Sequence, residues 1–151
     1  MVSSIASFSQ FEPALVEACL IGDERGAIAA AGKALAAGES PLTLYGSAKH
    51  ALNRWCRRVA AEPQWAGAGI PLNVIAPGVI DTPAAAALLS DHTRSAQIAS
   101  MVPMRGAYPG KPDQLAAIAA WCVSAENALM TGQILFVDGG FECRARGERS
   151  W

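Results

Sequence analysis

Several marks of common protein classes are missing from this sequence. Its four cysteines, Cys19, Cys56, Cys122 and Cys143, include no C-x-x-C pair, and its two histidines form no cluster with them. Neither a disulfide framework nor a metal site is supported, and free thiols in a reducing cytoplasm are expected. Charge of one sign is lacking too: 12 Lys and Arg stand against 13 Asp and Glu, a formal net charge of −1. No basic run precedes Arg144, Arg146 and Arg149, so nothing marks a nucleic-acid partner or an anionic membrane surface. No uninterrupted apolar run reaches about 18 residues, and the first residues do not follow a charged, apolar, small-residue order, so neither a membrane span nor a signal peptide is expected. What is abundant is apolar character. Hydrophobic residues make up 52% of 151 positions, ample for a buried core and consistent with a small, largely apolar partner.

Periodicity divides the chain. Residues 13–21 and 23–37 are two alanine-rich helical stretches of good intrinsic propensity, split at Gly22-Asp23. From Tyr45 to about residue 62, Ala48, Ala51, Leu52, Trp55, Cys56 and Val59 recur at three and four, one apolar stripe with Arg54, Arg57 and Arg58 facing away. The run 72–76 is short, apolar and suited to a strand buried on both faces, and Pro77-Gly78 breaks it. Residues 83–105 are rich in Ala, Leu and Met, where Met101 and Met104 serve either as core filler or as a flexible apolar lining. Pro112 and Asp113 open a further helix with Leu115, Ile118, Ala119, Cys122 and Val123 as its core-facing stripe. A strand over 133–137 follows, closed by Asp138-Gly139-Gly140. His92 is expected to be exposed and without a catalytic role. The tail 141–151 is polar and has no legible role.

One constellation carries chemistry. In Tyr45-Gly46-Ser47-Ala48-Lys49 the phenol and the ammonium are four apart and share a helix face. A neighbouring cation favours phenolate over phenol, bringing a tyrosine from its ordinary pKa of about 10 towards the working range of a proton donor and acceptor. By itself this spacing is common on helices. Ser3, Ser4 and Ser7 either open into a crevice at the end of a buried parallel strand or cap a frayed N-terminus, and the residues alone leave both readings standing.

Five segments occur in an order that resembles the C-terminal half of the short-chain dehydrogenases/reductases: Val2-Ser3-Ser4-Ile5-Ala6-Ser7, the Tyr45 to Lys49 segment, Leu72-Asn73-Val74-Ile75-Ala76-Pro77-Gly78-Val79-Ile80-Asp81-Thr82-Pro83, Gly110-Lys111-Pro112-Asp113, and Thr131-Gly132-Gln133-Ile134-Leu135-Phe136-Val137-Asp138-Gly139-Gly140. The resemblance implies an α/β fold of Rossmann type, a doubly wound parallel sheet here incomplete, with the N-terminal βαβ units absent. It implies catalytic roles for Ser4, Tyr45 and Lys49, and NAD or NADP as cofactor. Tyr45, Lys49, Pro77, Gly78, Ile80 and Thr82 would surround its nicotinamide and ribose. No metal is implied. Residues 83–105 would form a mobile lid, and 113–124 with 133–137 a homodimer contact. The long separation of Ser4 from Tyr45 implies a helical insertion over 13–37. That insertion resembles the bacterial hydroxysteroid dehydrogenase/carbonyl reductase subgroup, which points to bulky apolar ketones or secondary alcohols, hydroxysteroids or aromatic carbonyls.

A nicotinamide enzyme of that family needs T-G-x-x-x-G-x-G after its first strand, so that the pyrophosphate meets backbone N–H groups at a helix N-terminus. This sequence contains no such turn, no residue placed to read the adenosine ribose, and no N-N-A-G stretch. Two expectations follow. The chain is the catalytic half of a dehydrogenase, inactive alone, or it is a noncatalytic dimerisation module. Either way one partial domain over 1–151 is expected, with an unpaired sheet edge that invites association.

Overall fold

The computed structural model describes residues 1–149. Strands β1 (Val74–Pro77) and β2 (Ile134–Val137) pair in parallel, Val74 opposite Ile134 and Pro77 opposite Val137. Val74, Ile75 and Ala76 are buried, as a β-branched run between layers should be. The first segment adds a single parallel bridge, Val2 to Ile75, through Ser3 N to Ile75 O at 2.7 Å and Ile75 N to Met1 O at 2.9 Å. The spatial order is therefore Val2, β1, β2. Both strands begin later than the apolar runs suggest, because side chains replace the ladder at their entry. Asn73 donates to Met130 O at 2.7 Å and accepts from Gln133 N at 3.0 Å, while Leu72 N donates to Thr131 Oγ1 at 3.0 Å.

Helix α1 (Pro13–Ile21) ends at Gly22, whose φ of 75° is the left-handed stop that glycine provides, and Asp23 accepts from Gly26 N to start α2 (Glu24–Ala36). Helix α3 spans Pro41–Val59 and begins a turn before Tyr45, because Ser40 caps Leu42 N at 3.1 Å and Pro41 pre-sets the first turn. It packs on α1 and on the 3-10 turn Ile5–Phe8, and α2 packs on α1. Two apolar clusters result. Cys56, Val59, Ala60, Leu72 and Val74 form one, and Val16, Leu20 and Ala51 the other, with Trp55 packed against both. Full burial of Val16 or Val74 stabilises by about 1.5–3 kcal/mol each. Burial also pushes the Cys56 thiol above its ordinary range, partly countered by the N-terminal ammonium and Arg57, and the thiol donates to Leu72 O at 3.5 Å.

Helices α4 (Ala86–Ser90) and α5 (His92–Met101) follow β1, and α6 (Pro112–Val123) precedes β2. The apolar stripe expected on α6 is only partly inward. Cys122 is buried but Val123 is 85% exposed, because among the described residues the sheet, two short strands extended by the Val2 bridge, offers that helix little surface to cover. The tail, read as polar and without a legible role, is in part helical. Helix α7 (Phe141–Arg146) forms there because Asp138 accepts from Gly140 N at 2.9 Å and Glu142 N at 2.8 Å, and the Phe141 ring lies 6.2 Å from that of Phe8. The last two tail residues, Ser150 and Trp151, lie outside the described residues. Among the described residues, no helix is long and apolar enough to cross a membrane.

Val2 is 60% exposed at the outer edge of the sheet, and Leu129 is 96% exposed near Val123. An open edge beside apolar surface pairs with its like. The isolated chain is expected to self-associate in sedimentation velocity at micromolar concentration; a single monomeric boundary would refute this.

Candidate active site

Parallel pairing fixes where the candidate residues go. Val2 lies beside Ile75 and Pro77 beside Val137, so Ser4, Gly78 and Asp138 all leave the sheet at its C-terminal end. That is the end at which open α/β sheets hold ligands.

Tyr45 and Lys49 stand on α3 above the first segment. Tyr45 is 46% exposed, and the Lys49 ammonium lies 5.6 Å from its ring centroid. The same ammonium donates to Val2 O at 3.1 Å, so it bridges the phenol ring and the outer sheet edge. The residues between them seat the helix. An added Cβ at Gly46 would stand 2.7 Å from Ala6 O, and buried Ser47 accepts from Glu12 N at 2.8 Å while donating to Thr43 O at 2.7 Å. Replacing Gly46 by alanine is therefore expected to destabilise the fold by about 1–3 kcal/mol, read as a lowered melting temperature; an unchanged melt would show that α3 is not held this closely.

The three serines part company. Ser3 is buried and donates to Lys49 O at 3.3 Å, and Ser7 is buried and accepts from Asn53 Nδ2 at 2.8 Å. Ser4 caps the Ile5–Phe8 turn, accepting from Ala6 N at 3.2 Å. Capping uses an oxygen lone pair and leaves the hydroxyl proton for another partner, so it is compatible with a role in binding.

Ile80 sits beyond β1 in a parallel bridge to Gly110, made by Gly110 N to Val79 O at 2.9 Å and Asp81 N to Gly110 O at 2.8 Å. In such a bridge Ile80's own N–H and C=O face away from Gly110. Thr82 Oγ1 donates to Ile80 O at 3.4 Å. Gly78 and Ile80 line a crevice of about 150 Å³ with Val102, Tyr108, Leu115 and Phe141. Ser4, Tyr45, Lys49, Pro77 and Thr82 do not line it. The structure thus brings Tyr45 and Lys49 together on α3 and Gly78 with Ile80 in the crevice, while Ser4 stands at the head of the Ile5–Phe8 turn.

Backbone N–H and C=O of Ile80 thus face away from Gly110, the C=O taken by the Thr82 hydroxyl, and Gly78 lets the chain pass Asp138 closely, since a Cβ there would lie 3.0 Å from Asp138 Cα. Sequence reasoning named Asp138 without its capping role, and it passed over the polar pair His50 and Asn53, three apart on one face of α3. His50 Nδ1 lies 2.9 Å from Ser7 O and its ring stacks on Phe11 at 4.2 Å.

Parallel strands under helices, with their loops gathered at the C-terminal edge, define an α/β protein of Rossmann type. A family model described as Enoyl-(Acyl carrier protein) reductase matches residues 5–142. The chain belongs to the short-chain dehydrogenase/reductase family. It is 38% identical over 96 residues to 3beta-hydroxysteroid dehydrogenase 1 of Eggerthella lenta, covering 64% of this chain and 35% of that protein. It is 37% identical over 103 residues to galactitol 2-dehydrogenase of Rhizobium johnstonii, covering 68% and 38%. The crystal structure of the 3-alpha-hydroxysteroid dehydrogenase from Pseudomonas sp. B-0831 complexed with NADH superposes with a TM-score of 0.80 at 31% identity, over 99% of this chain and 57% of that one. The chain thus spans just over half of that solved relative and little more than a third of the two curated ones.

Proposed function

We propose that this chain supplies the catalytic half of an NAD(P)-dependent oxidoreductase that interconverts a secondary alcohol and a ketone on a bulky apolar substrate, a hydroxysteroid or an aromatic carbonyl. The observation that carries this reading is the extent of the match to the NADH-bound 3-alpha-hydroxysteroid dehydrogenase, 99% of the chain. The dinucleotide, when bound, supplies or takes up the hydride. Tyr45 gives a proton to the substrate oxygen in reduction and takes it back in oxidation. Ser4 donates a hydrogen bond to that oxygen and stabilises the charge gathering on it. Lys49 holds the ribose. Pro77 and Gly78 shape the turn that presents Ile80 and Thr82 to the carboxamide. Residues 83–105 close over the substrate, 13–37 form the helical insertion, and 113–124 with 133–137 pair two copies, in a cytoplasmic protein.

Fusing the chain behind a segment that carries the family's glycine-rich turn and asparagine-bearing strand tests this. The fusion is expected to oxidise NADH or NADPH on a 3-oxosteroid or an aromatic ketone and, supplied with NAD+ or NADP+, to leave galactitol untouched. Turnover of galactitol with none of the carbonyl substrates would overturn the substrate assignment. The exposure of Val123 and Leu129 favours a second reading, a noncatalytic dimerisation module, which a dimeric fusion without any turnover would support.

A further inference from the structure

The turn Ile5–Phe8, headed by Ser4, is a single 3-10 turn that follows the Val2 bridge. Inside it Ser7 N donates to Ser4 O at 3.0 Å, and Ser9 N donates to Ala6 O at 3.2 Å. Turns this short have poor hydrogen-bond geometry and little rigidity of their own, so what the turn leans on decides where Ser4 stands. It leans on α3.

Three positions of that helix receive it, Gly46, His50 and Asn53, spaced four and three apart and so on one face. Ala6 O faces Gly46, where any Cβ would stand 2.7 Å from it. Ser7 O lies 2.9 Å from His50 Nδ1, and Ser7 Oγ accepts from Asn53 Nδ2 at 2.8 Å. A carbonyl can only accept, so His50 carries its proton on Nδ1. Ser7 is buried, and a helical turn leaves its last carbonyls without partners of its own; the imidazole fills that need. The Phe11 ring lies over it at 4.2 Å, 13° from parallel, and sets the plane in which Nδ1 donates.

The position of this seat on α3 bears on chemistry. Gly46 directly follows Tyr45 and His50 directly follows Lys49, and successive helical residues stand about 100° apart, so the seating face lies beside the face that carries the phenol and the ammonium. We infer that His50 is a positioning residue of the proposed reaction: through the Ser7 carbonyl it fixes the turn that carries Ser4 against the helix that carries Tyr45. The inference rests on the dehydrogenase reading above. A displacement of Ser4 by about 1 Å is enough to lower turnover by up to about a hundredfold.

Side-chain amides separate the hydrogen bond from the bulk of the ring. Asparagine offers a donor where Nδ1 stands, glutamine offers one where Nε2 stands, and leucine offers none. In the completed fusion His50→Leu and His50→Gln are expected to lower kcat for ketone reduction about tenfold with KM for the cofactor little changed, while His50→Asn stays within about threefold of the unsubstituted fusion. In the unfused chain, amide exchange over Ile5–Phe8 is expected to quicken about tenfold in the leucine and glutamine variants and to hold steady in the asparagine one. If the leucine variant does not fold, the glutamine variant decides. A residue that only stabilised the fold would leave the kcat of the folded enzyme unmoved, and that result in an active fusion, or failure of asparagine to restore turnover, overturns this inference alone. A fusion inactive without any substitution overturns the dehydrogenase reading and His50's part in turnover with it, even where the exchange rates still follow His50.

Discussion

Replacing Tyr45 by phenylalanine in the completed fusion is expected to lower kcat by about two to four orders of magnitude and to change KM little, as steady-state ketone reduction would show. The substitution keeps the ring and removes the oxygen. With Tyr45 about half exposed and seated by Gly46 and Ser47 rather than by its hydroxyl, the fold should tolerate the loss, so the effect falls on proton transfer. Lys49→Met should also act on kcat, because the ribose contact and the hydrogen bond to Val2 O at the outer sheet edge are lost. Wild-type turnover by the phenylalanine variant would remove Tyr45 from the mechanism.

The second large effect concerns the cofactor. The chain as given is expected to show no saturable binding of NADH or NADPH when either is titrated and followed by nucleotide fluorescence, while the completed fusion binds. Gly78, Ile80 and Thr82 can meet a carboxamide and Lys49 a ribose, but most of a dinucleotide's charge sits on its pyrophosphate, which a helix N-terminus normally receives. No glycine-rich turn for that group occurs in the sequence. Positioning a reactive ring is worth several kcal/mol and requires a site fixed to within about half an ångström, which contacts at one end of a long ligand do not provide. Micromolar saturable binding by the chain alone would overturn this and mean that it, or an oligomer of it, builds a phosphate site by other means.

Burial of Cys56 adds a smaller, pH-linked effect. The folded thiol holds its proton more tightly than the unfolded one, so its contribution to stability is full below the ordinary thiol pKa and falls as pH rises above it. Denaturant midpoints should decline over that alkaline window, and replacing Cys56 by alanine should flatten the decline; an unaltered pH dependence would assign it to other groups.

Helices were legible where caps and breakers speak locally. Gly22-Asp23 divides α1 from α2 through one left-handed residue and one carboxylate. Tyr45 was visible as chemistry, yet the start of its helix was not, because the cap at Ser40 lies a turn upstream of the motif that drew attention. The strands were legible as apolar runs but not in their bounds, since the Asn73 side chain substitutes for backbone pairing at their entry. Val123 was misread because an apolar stripe gives the direction a helix would face and not the area available to bury it. The Asp138 cap joins residues only two and four apart, and it went unread because the tail after Gly140 reads as polar and without a legible role.

Trp55 is shared by the two apolar clusters, and its ring meets that of Trp65 edge-on at 6.3 Å. One indole is thus a common wall between the helical pair that precedes α3 and the strands that follow it. Neither side can loosen without stripping contacts from the other, so the two should open as one cooperative unit instead of melting in sequence. The residue that couples them is also a chromophore. Its emission should therefore follow the breaking of the whole, and amide exchange in α1 and in β1 should run at closely matched rates although the two segments are distant in the chain.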